Sequence, residues 1–392
     1  MNPLDSPFPT AAFITTTAEL AALCTRLAAE EFITVDTEFM RERTYYPELC
    51  LVQLAGAQDV AVVDAQAKGI DLTPLGELLA KPDVTKVFHA CRQDIEIFLL
   101  IFGAVPARIF DTQIAAMVAG FGDQVGYDSL VSSLTGGHID KAHRFSDWSA
   151  RPLTPAQITY AAADVTHLRV VYERLNARLR VDGRLDWVAE EMAALADPNT
   201  YRVDPEKAWE RLKLRGGNRR QLAIIQAIAA WREREAQRIN IPRQRLIKDE
   251  QIPEIAALAP DSADALTRAR GISTGFAAGK SGILLLAAIA EAKALPEEKL
   301  PRMERQREAQ RASPALVALL KVLLNARAEQ NNVAPRLVAS TEDIEALALD
   351  ETADNPILHG WRAEMFGADA LRLIRGEIAL SAQGKRVKTV QL

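Results

Sequence analysis

Residues 32–39, FITVDTEF, place two acids in a stretch that otherwise reads as a buried strand, and two more strand-like stretches, LCLVQLAG and VAVVDA, follow before residue 66. The connections between them are too short for a helical crossover, so the three strands are expected to be antiparallel neighbours. After them LTPLGELLAK carries an apolar helical stripe behind a Thr-Pro start, KVFHA is a short buried strand, and CRQDIEIFLLIFG is a helix closed by Gly103. ARIFDTQIAAMVAG starts as a strand and soon turns helical. This order predicts an α/β domain with a mixed sheet and helices on both faces, and disfavours a purely parallel doubly wound sheet.

The acids are the unusual element. Side chains two apart on a strand share a face, so Asp36 and Glu38 project into the same space. Two carboxylates held that close repel unless one is protonated or a cation lies between them, and the pair therefore calls for a metal ion. Two further acids fall near strand or helix ends. Asp94 lies in the first turn of the helix that follows KVFHA, where, taken alone, a helix-dipole or capping acid is the commoner reading. Asp164 lies four residues after Tyr160 in LTPAQITYAAADVTHLRVVYERL, a helix that Thr154 can cap and Pro155 can start. Alone, that pair reads as a simple polar contact.

The chain has 392 residues, 48% hydrophobic and 25% charged, enough for two or three domains with real cores. Its first residues, MNPLDSPFPT, lack the pattern of a signal peptide, and the longest apolar runs are too short to span a bilayer, which points to the cytoplasm. Cys24, Cys50 and Cys91 have no metal-ligand spacing and read as reduced core thiols. The five histidines likewise show no ligand or nucleophile spacing. The net charge of −5 conceals an asymmetry: residues 1–195 hold 16 Lys and Arg against 26 Asp and Glu, whereas residues 196–392 hold 31 against 26. An acidic half suits metal ions and a basic half suits phosphates, although both also fit ordinary solvated surfaces.

Taken together the motifs are far more specific. The D-x-E of VDTEF, the H-x-x-x-x-D of HACRQD and the Y-x-x-x-D of YAAAD resemble the three exonuclease motifs of the DEDD superfamily in its tyrosine-bearing subclass. TYYPELCLVQLA, FDTQIAA and DWSARPLTPAQITYAAADV resemble the ribonuclease D family in particular. One departure lies at KAHRFSDW, where the family more often has a Glu-Gln-containing linker, and this weakens any role for His143 or Phe145. The resemblance implies an RNase H-like exonuclease fold in which Asp36, Glu38, Asp94 and Asp164 ligate two divalent metal ions, Mg²⁺ or Mn²⁺, with Tyr160 orienting the attacking water. Phe39 and Trp148 are candidates to grip a 3′-terminal nucleotide, or else wall and core residues.

Residues 204–392 read as helical throughout and contain a weak repeat. AWREREAQRINIPRQRLIKDEQIPEIAAL and NARAEQNNVAPRLVASTEDIEALAL share an Arg, a Gln, a Pro-Arg and an apolar pair in order, with Pro242 and Pro335 in matching places. Both resemble the helicase-and-ribonuclease-D C-terminal (HRDC) domain, which implies nucleic-acid binding. The expected organisation is an exonuclease domain over 1–195, an HRDC domain over 204–294 and an HRDC-like domain over 310–392, both all-α. Arg211, Lys213, Arg215, Arg219 and Arg220 form the densest basic cluster and are candidates for phosphate contacts. The implied activity is metal-dependent 3′-to-5′ exoribonuclease cleavage at the 3′ ends of tRNA precursors and other structured RNA, by a monomer. A DNA 3′-to-5′ exonuclease and a catalytically silent RNA-binding protein are the alternatives; no acid is missing, which disfavours the second.

Overall fold

The computed structural model describes residues 10–139, 142–214, 216–301 and 312–392. The first half contains β1 (Ala12–Ile14), α1 (Thr17–Leu27), β2 (Phe32–Met40), β3 (Glu48–Ala55), β4 (Val60–Asp64), α2 (Thr73–Leu79), β5 (Thr85–Phe88), α3 (Arg92–Phe102), β6 (Ile109–Asp111), α4 (Thr112–Val118), α5 (Tyr127–Thr135), α6 (Pro155–Val181) and α7 (Leu185–Ala196). The strands form one sheet in the order β1-β4-β3-β2-β5-β6. β3 and β4 are antiparallel, whereas β1 with β4, β2 with β5 and β5 with β6 are parallel, so the sheet is mixed as expected. The sequence reading missed β1, whose three residues are too few to leave an alternation pattern.

Because β2, β5 and β6 run in parallel, their carboxyl ends lie along one edge, the usual place for a site in a sheet of this kind. Asp111 braces that edge. As the N-cap of α4 it accepts from the backbone N–H groups of Gln113 (2.7 Å) and Ile114 (3.3 Å), and it also accepts from those of Ala90 (3.1 Å) and Cys91 (2.8 Å) at the start of α3. α3 ends at Gly103 in the left-handed conformation that glycine adopts without strain. α6 starts with the foreseen Pro155 and a reciprocal capping box between Thr154 and Gln157. The Thr34 hydroxyl of β2 donates to the Val165 carbonyl at 2.8 Å, which fixes the register of α6 against the sheet. All three cysteines are buried and free.

The second half contains α8 (Arg219–Ile239), α9 (Arg243–Leu246), α10 (Gln251–Leu258), α11 (Ala263–Leu266), α12 (Thr274–Ala278), α13 (Lys280–Ala294), α14 (Pro314–Asn331), α15 (Pro335–Val338), α16 (Thr341–Leu349), α17 (Gly360–Arg362) and α18 (Ala368–Ile374). The expectation that it is helical to the end is corrected by β7 (Ile378–Gln383) and β8 (Arg386–Gln391), an antiparallel hairpin. Val387, Thr389 and Val390 favour extended backbone, and Gly384 supplies the positive φ of a tight two-residue turn.

The chain divides into two compact units. Met40–Glu48 and Tyr201–Ala309, over their described residues, form one. Its core gathers Ile224, Ile228, Trp231, Ile252, Ile255, Leu285 and Ile289, and the Asn240 side chain that ends α8 accepts from the backbone N–H groups of Tyr45 (3.1 Å) and Tyr46 (3.0 Å). Met1–Phe39, Leu49–Thr200 and Gln310–Leu392, again over their described residues, form the other. Here the last helices share a core with α7: Trp361, 3% exposed, stacks on Trp187 at 4.8 Å between ring centroids, and its indole N–H donates to Glu191 at 3.2 Å. Trp361→Ala removes that stack and leaves a cavity, so it should destabilise this unit by roughly 3–5 kcal/mol. Urea unfolding checks this, and a loss below about 1 kcal/mol would contradict the packing described.

Candidate active site

Three elements bring the four acids together. Asp36 and Glu38 are half-buried near the end of β2, Asp94 projects from the first turn of α3 at 7% exposure, and Asp164 from the middle of α6 at 8%. Burial and mutual repulsion disfavour their charged forms. Burial, then Asp164, pushes the Asp36 carboxyl up to about 8. Burial, then Asp36, Asp164 and Asp94, pushes Glu38 up to about 9. Burial raises Asp164 to about 7, and burial followed by Asp36 holds Asp94 well above the ordinary carboxylate range.

Two hydroxyls outside the predicted set hold this arrangement. Thr37, between the two β2 acids, donates to Asp94, and Tyr127 of α5 donates to the Asp164 main-chain carbonyl. Neither was legible in sequence. Strand alternation points Thr37 away from Asp36 and Glu38, and Tyr127 lies 37 residues from its partner.

Tyr160 is half-buried beside the acids. Burial, then Asp164, Glu38 and Asp36, raises its phenol, with Arg144 acting in the opposite direction. The phenol therefore stays protonated at neutral pH and serves as a hydrogen-bond donor. Its ring lies 6.1 Å from both His143, edge to face, and Trp148, stacked. Trp148 is held by the next turn of chain, where Arg151 donates to the Trp148 carbonyl at 2.6 Å and forks onto Asp64 at the end of β4 at 2.6 and 2.8 Å. With 2% exposure, Trp148 presents little surface for stacking and acts as a wall behind Tyr160, whereas Phe39 is half-exposed on β2.

The basic cluster takes different positions. Arg219 donates to the carbonyls of Glu297 (3.0 Å) and Leu300 (2.8 Å), and Arg220 to those of Lys293 (3.1 Å) and Leu295, so both guanidiniums tie the start of α8 to the chain around the end of α13. Arg211 and Lys213 are exposed, and Arg215 lies outside the described residues.

The 3′-5′ exonuclease family matches residues 11–180, and the HRDC domain family matches residues 221–289. The ribonuclease D of Acidiphilium cryptum is 70% identical over 100% of both chains, and that of Granulibacter bethesdensis is 64% identical over 98% of both. The chain belongs to the ribonuclease D family. The solved structure of Escherichia coli RNase D, described as an exoribonuclease involved in structured RNA processing, matches with a TM-score of 0.81 at 32% identity, covering 94% of this chain and 99% of that one. A protein from Bifidobacterium adolescentis shares the fold at a TM-score of 0.68 and 22% identity, over 94% of this chain and 97% of its own. Membership makes this protein a 3′-to-5′ exoribonuclease that depends on divalent metal.

The donor set fits such an ion: four carboxylates offer only oxygen, the chemistry of hard divalent cations. Among the described residues no three Asp, Glu, His or Cys side chains are already drawn into a closed metal cage. The acids share one electrostatic field, in which Asp164 acts on Asp36 and Glu38, and Asp36 on Glu38 and Asp94. Folding raises these carboxyls above their unfolded values of about 4, so their contribution to stability is fullest below that pH. In chelated protein it is lost as the pH climbs through about 7 for Asp164, 8 for Asp36 and 9 for Glu38. The Tm of chelated protein should therefore fall progressively from about pH 4, the unfolded carboxyl value, up to about pH 9, and Asp36→Asn should flatten that fall. Calorimetry across pH checks this, and equal slopes in the two proteins would contradict the shared field.

Proposed function

We propose that this exoribonuclease trims the 3′ ends of stable RNA precursors, tRNA foremost, releasing 5′-mononucleotides at a site built from Asp36, Glu38, Asp94, Asp164 and Tyr160. The convergence of these carboxylates and the phenol from β2, α3 and α6 carries the reading. The four acids would hold two divalent ions, Mg²⁺ or Mn²⁺, which when bound supply Lewis acidity for the attacking water and the departing 3′ oxygen. Asp36 and Glu38 come in on one strand and Asp94 and Asp164 on two helices, so the terminal phosphodiester is approached from three directions. Tyr160, its phenol kept protonated by burial and then by the neighbouring carboxylates, would donate a hydrogen bond that orients the water or a phosphate oxygen. Phe39 would contact the terminal nucleotide, and Trp148 would back Tyr160.

The domain boundaries proposed are 1–195 for the exonuclease, 204–294 for the HRDC domain and 310–392 for a second HRDC-like copy. In support of two copies, α8 and α14 both end on a left-handed asparagine, Asn240 at φ 52° and Asn332 at φ 50°, and each leads within a few residues into a short helix at the shared Pro-Arg. Among the described residues no helix is long and apolar enough to cross a membrane. The protein would act as a cytoplasmic monomer.

Asp36→Asn, Asp94→Asn and Asp164→Asn should each reduce nucleotide release below about a tenth of wild type at saturating Mg²⁺ without lowering stability. Single-turnover digestion of a 3′-labelled RNA tests this, and any variant above that level removes its acid from the ligand set. Tyr160→Phe should slow hydrolysis roughly 10²-fold while metal affinity holds, since it deletes a hydroxyl and no ligand. Parallel digestion of matched RNA and DNA strands, with equal rates, would instead favour a nuclease indifferent to the sugar.

A further inference from the structure

An open cavity of about 350 Å³ lies along the same carboxyl edge as the acids, lined by Ala90 after β5 and Asp111 at the end of β6 and closed by Arg336, Leu337 and Arg362 of the last helices. Its volume falls in the range of small-ligand sites. Ile114, Leu195 and Leu337 give it an apolar part of the lining. Its charge is positive at the mouth. The one carboxylate in its lining, Asp111, is already engaged with four backbone N–H groups, and Arg362 is paired with Glu191 at 2.7 Å. Arg336 is exposed, and among the described residues it has no hydrogen-bond or ion-pair partner.

The internal repeat accounts for an arginine without a partner among the described residues. In the first copy the matching residue of the shared Pro-Arg, Arg243, faces the buried carboxylate of Glu233 at 3.8 Å. Glu233 stands seven residues before the left-handed Asn240; seven residues before Asn332 the second copy has Asn325, which carries no charge. The second copy has thus lost the acid and kept the arginine. Arg92, on the same cavity, donates to the Thr200 carbonyl at 3.1 Å and stands two residues before Asp94 in α3, about 3 Å along the helix axis but on a different face of it.

We propose that this cavity is a second RNA subsite, in which Arg336 holds a backbone phosphate upstream of the 3′ end lodged among the acids, while the apolar part of the lining receives the adjoining base or sugar. The proposal rests on the placement of the reaction at the four acids. It gives the C-terminal copy a direct part in substrate binding, through phosphate contact that positions the strand without reading its sequence.

The test compares wild type with Arg336→Glu and Arg336→Lys on single-stranded RNAs from a dinucleotide up to about 20 nucleotides, with KM measured across salt concentration. For the longest RNA, Arg336→Glu should raise KM about tenfold and lower the salt slope by about one, with the defect shrinking as the RNA becomes too short to reach the cavity. Arg336→Lys should recover most of the loss. Thermal melting monitors the fold, and Arg336→Gln carries the same comparison if the charge reversal melts early. An unchanged KM and salt slope on long RNA would overturn the subsite, as would a defect equal at every length, which would mean that Arg336 acts through the acid site itself. Failure of the acid assignment is distinguishable: the Asp→Asn variants would then stay active whatever Arg336 does.

Discussion

Four carboxyl groups, pushed toward their neutral forms first by burial and then, for Asp36, Glu38 and Asp94, by the neighbouring acids, are the constraint around which the exonuclease half is arranged. Such a cluster opposes folding when charged, so its geometry must be imposed by elements that are stable for other reasons. Buried strands supply that stability: every residue of β4 and β5 is buried, as are Ile33, Thr34 and Val35 of β2 just before the acids. Thr34 then locks α6 to the sheet, Asp111 ties together the starts of α3 and α4, and Thr37 and Tyr127 hold Asp94 and the backbone of Asp164. The repulsive site is thereby held by uncharged hydrogen bonds and buried backbone, with its charge left for a cation to neutralise.

The helical half carries the same left-handed asparagine turn at the ends of α8 and α14, with two sets of neighbours. In the first copy the left-handed turn at Asn240 receives the backbone N–H groups of Tyr45 and Tyr46. In the second, the matching turn takes Arg184 onto the carbonyls of Asn331 and Asn332, and Ala334 donates to the Met117 carbonyl at 3.0 Å. The same helix-end geometry thus serves as a docking point twice, while the surrounding side chains differ. Charge follows a similar logic. Arg219 and Arg220, conspicuous in sequence as a basic pair, spend their donors on carbonyls of their own unit, whereas Arg336, inconspicuous in sequence, is left without a partner among the described residues. Basic residues that are dense in sequence are not for that reason the ones available to phosphate.

The sequence by itself determined the mixed α/β domain, the positions of the acids and the tyrosine on their elements, the caps of α3 and α6, and the helical character of most of the second half. Each rests on local rules of period, capping and spacing, which act within a few residues. It misjudged the end of the chain, where Gly384 and alternating β-branched residues make a hairpin beyond the last helix. Only the tertiary structure decided that Thr37 and Tyr127 support the acids, that Trp148 stands behind Tyr160 as a wall, and that residues 312–392 share a core with Trp187 of α7. Those are contacts between residues far apart in the chain, or across the alternation of a strand. They depend on which surfaces meet once the apolar faces are buried, and no local pattern in the chain encodes that meeting.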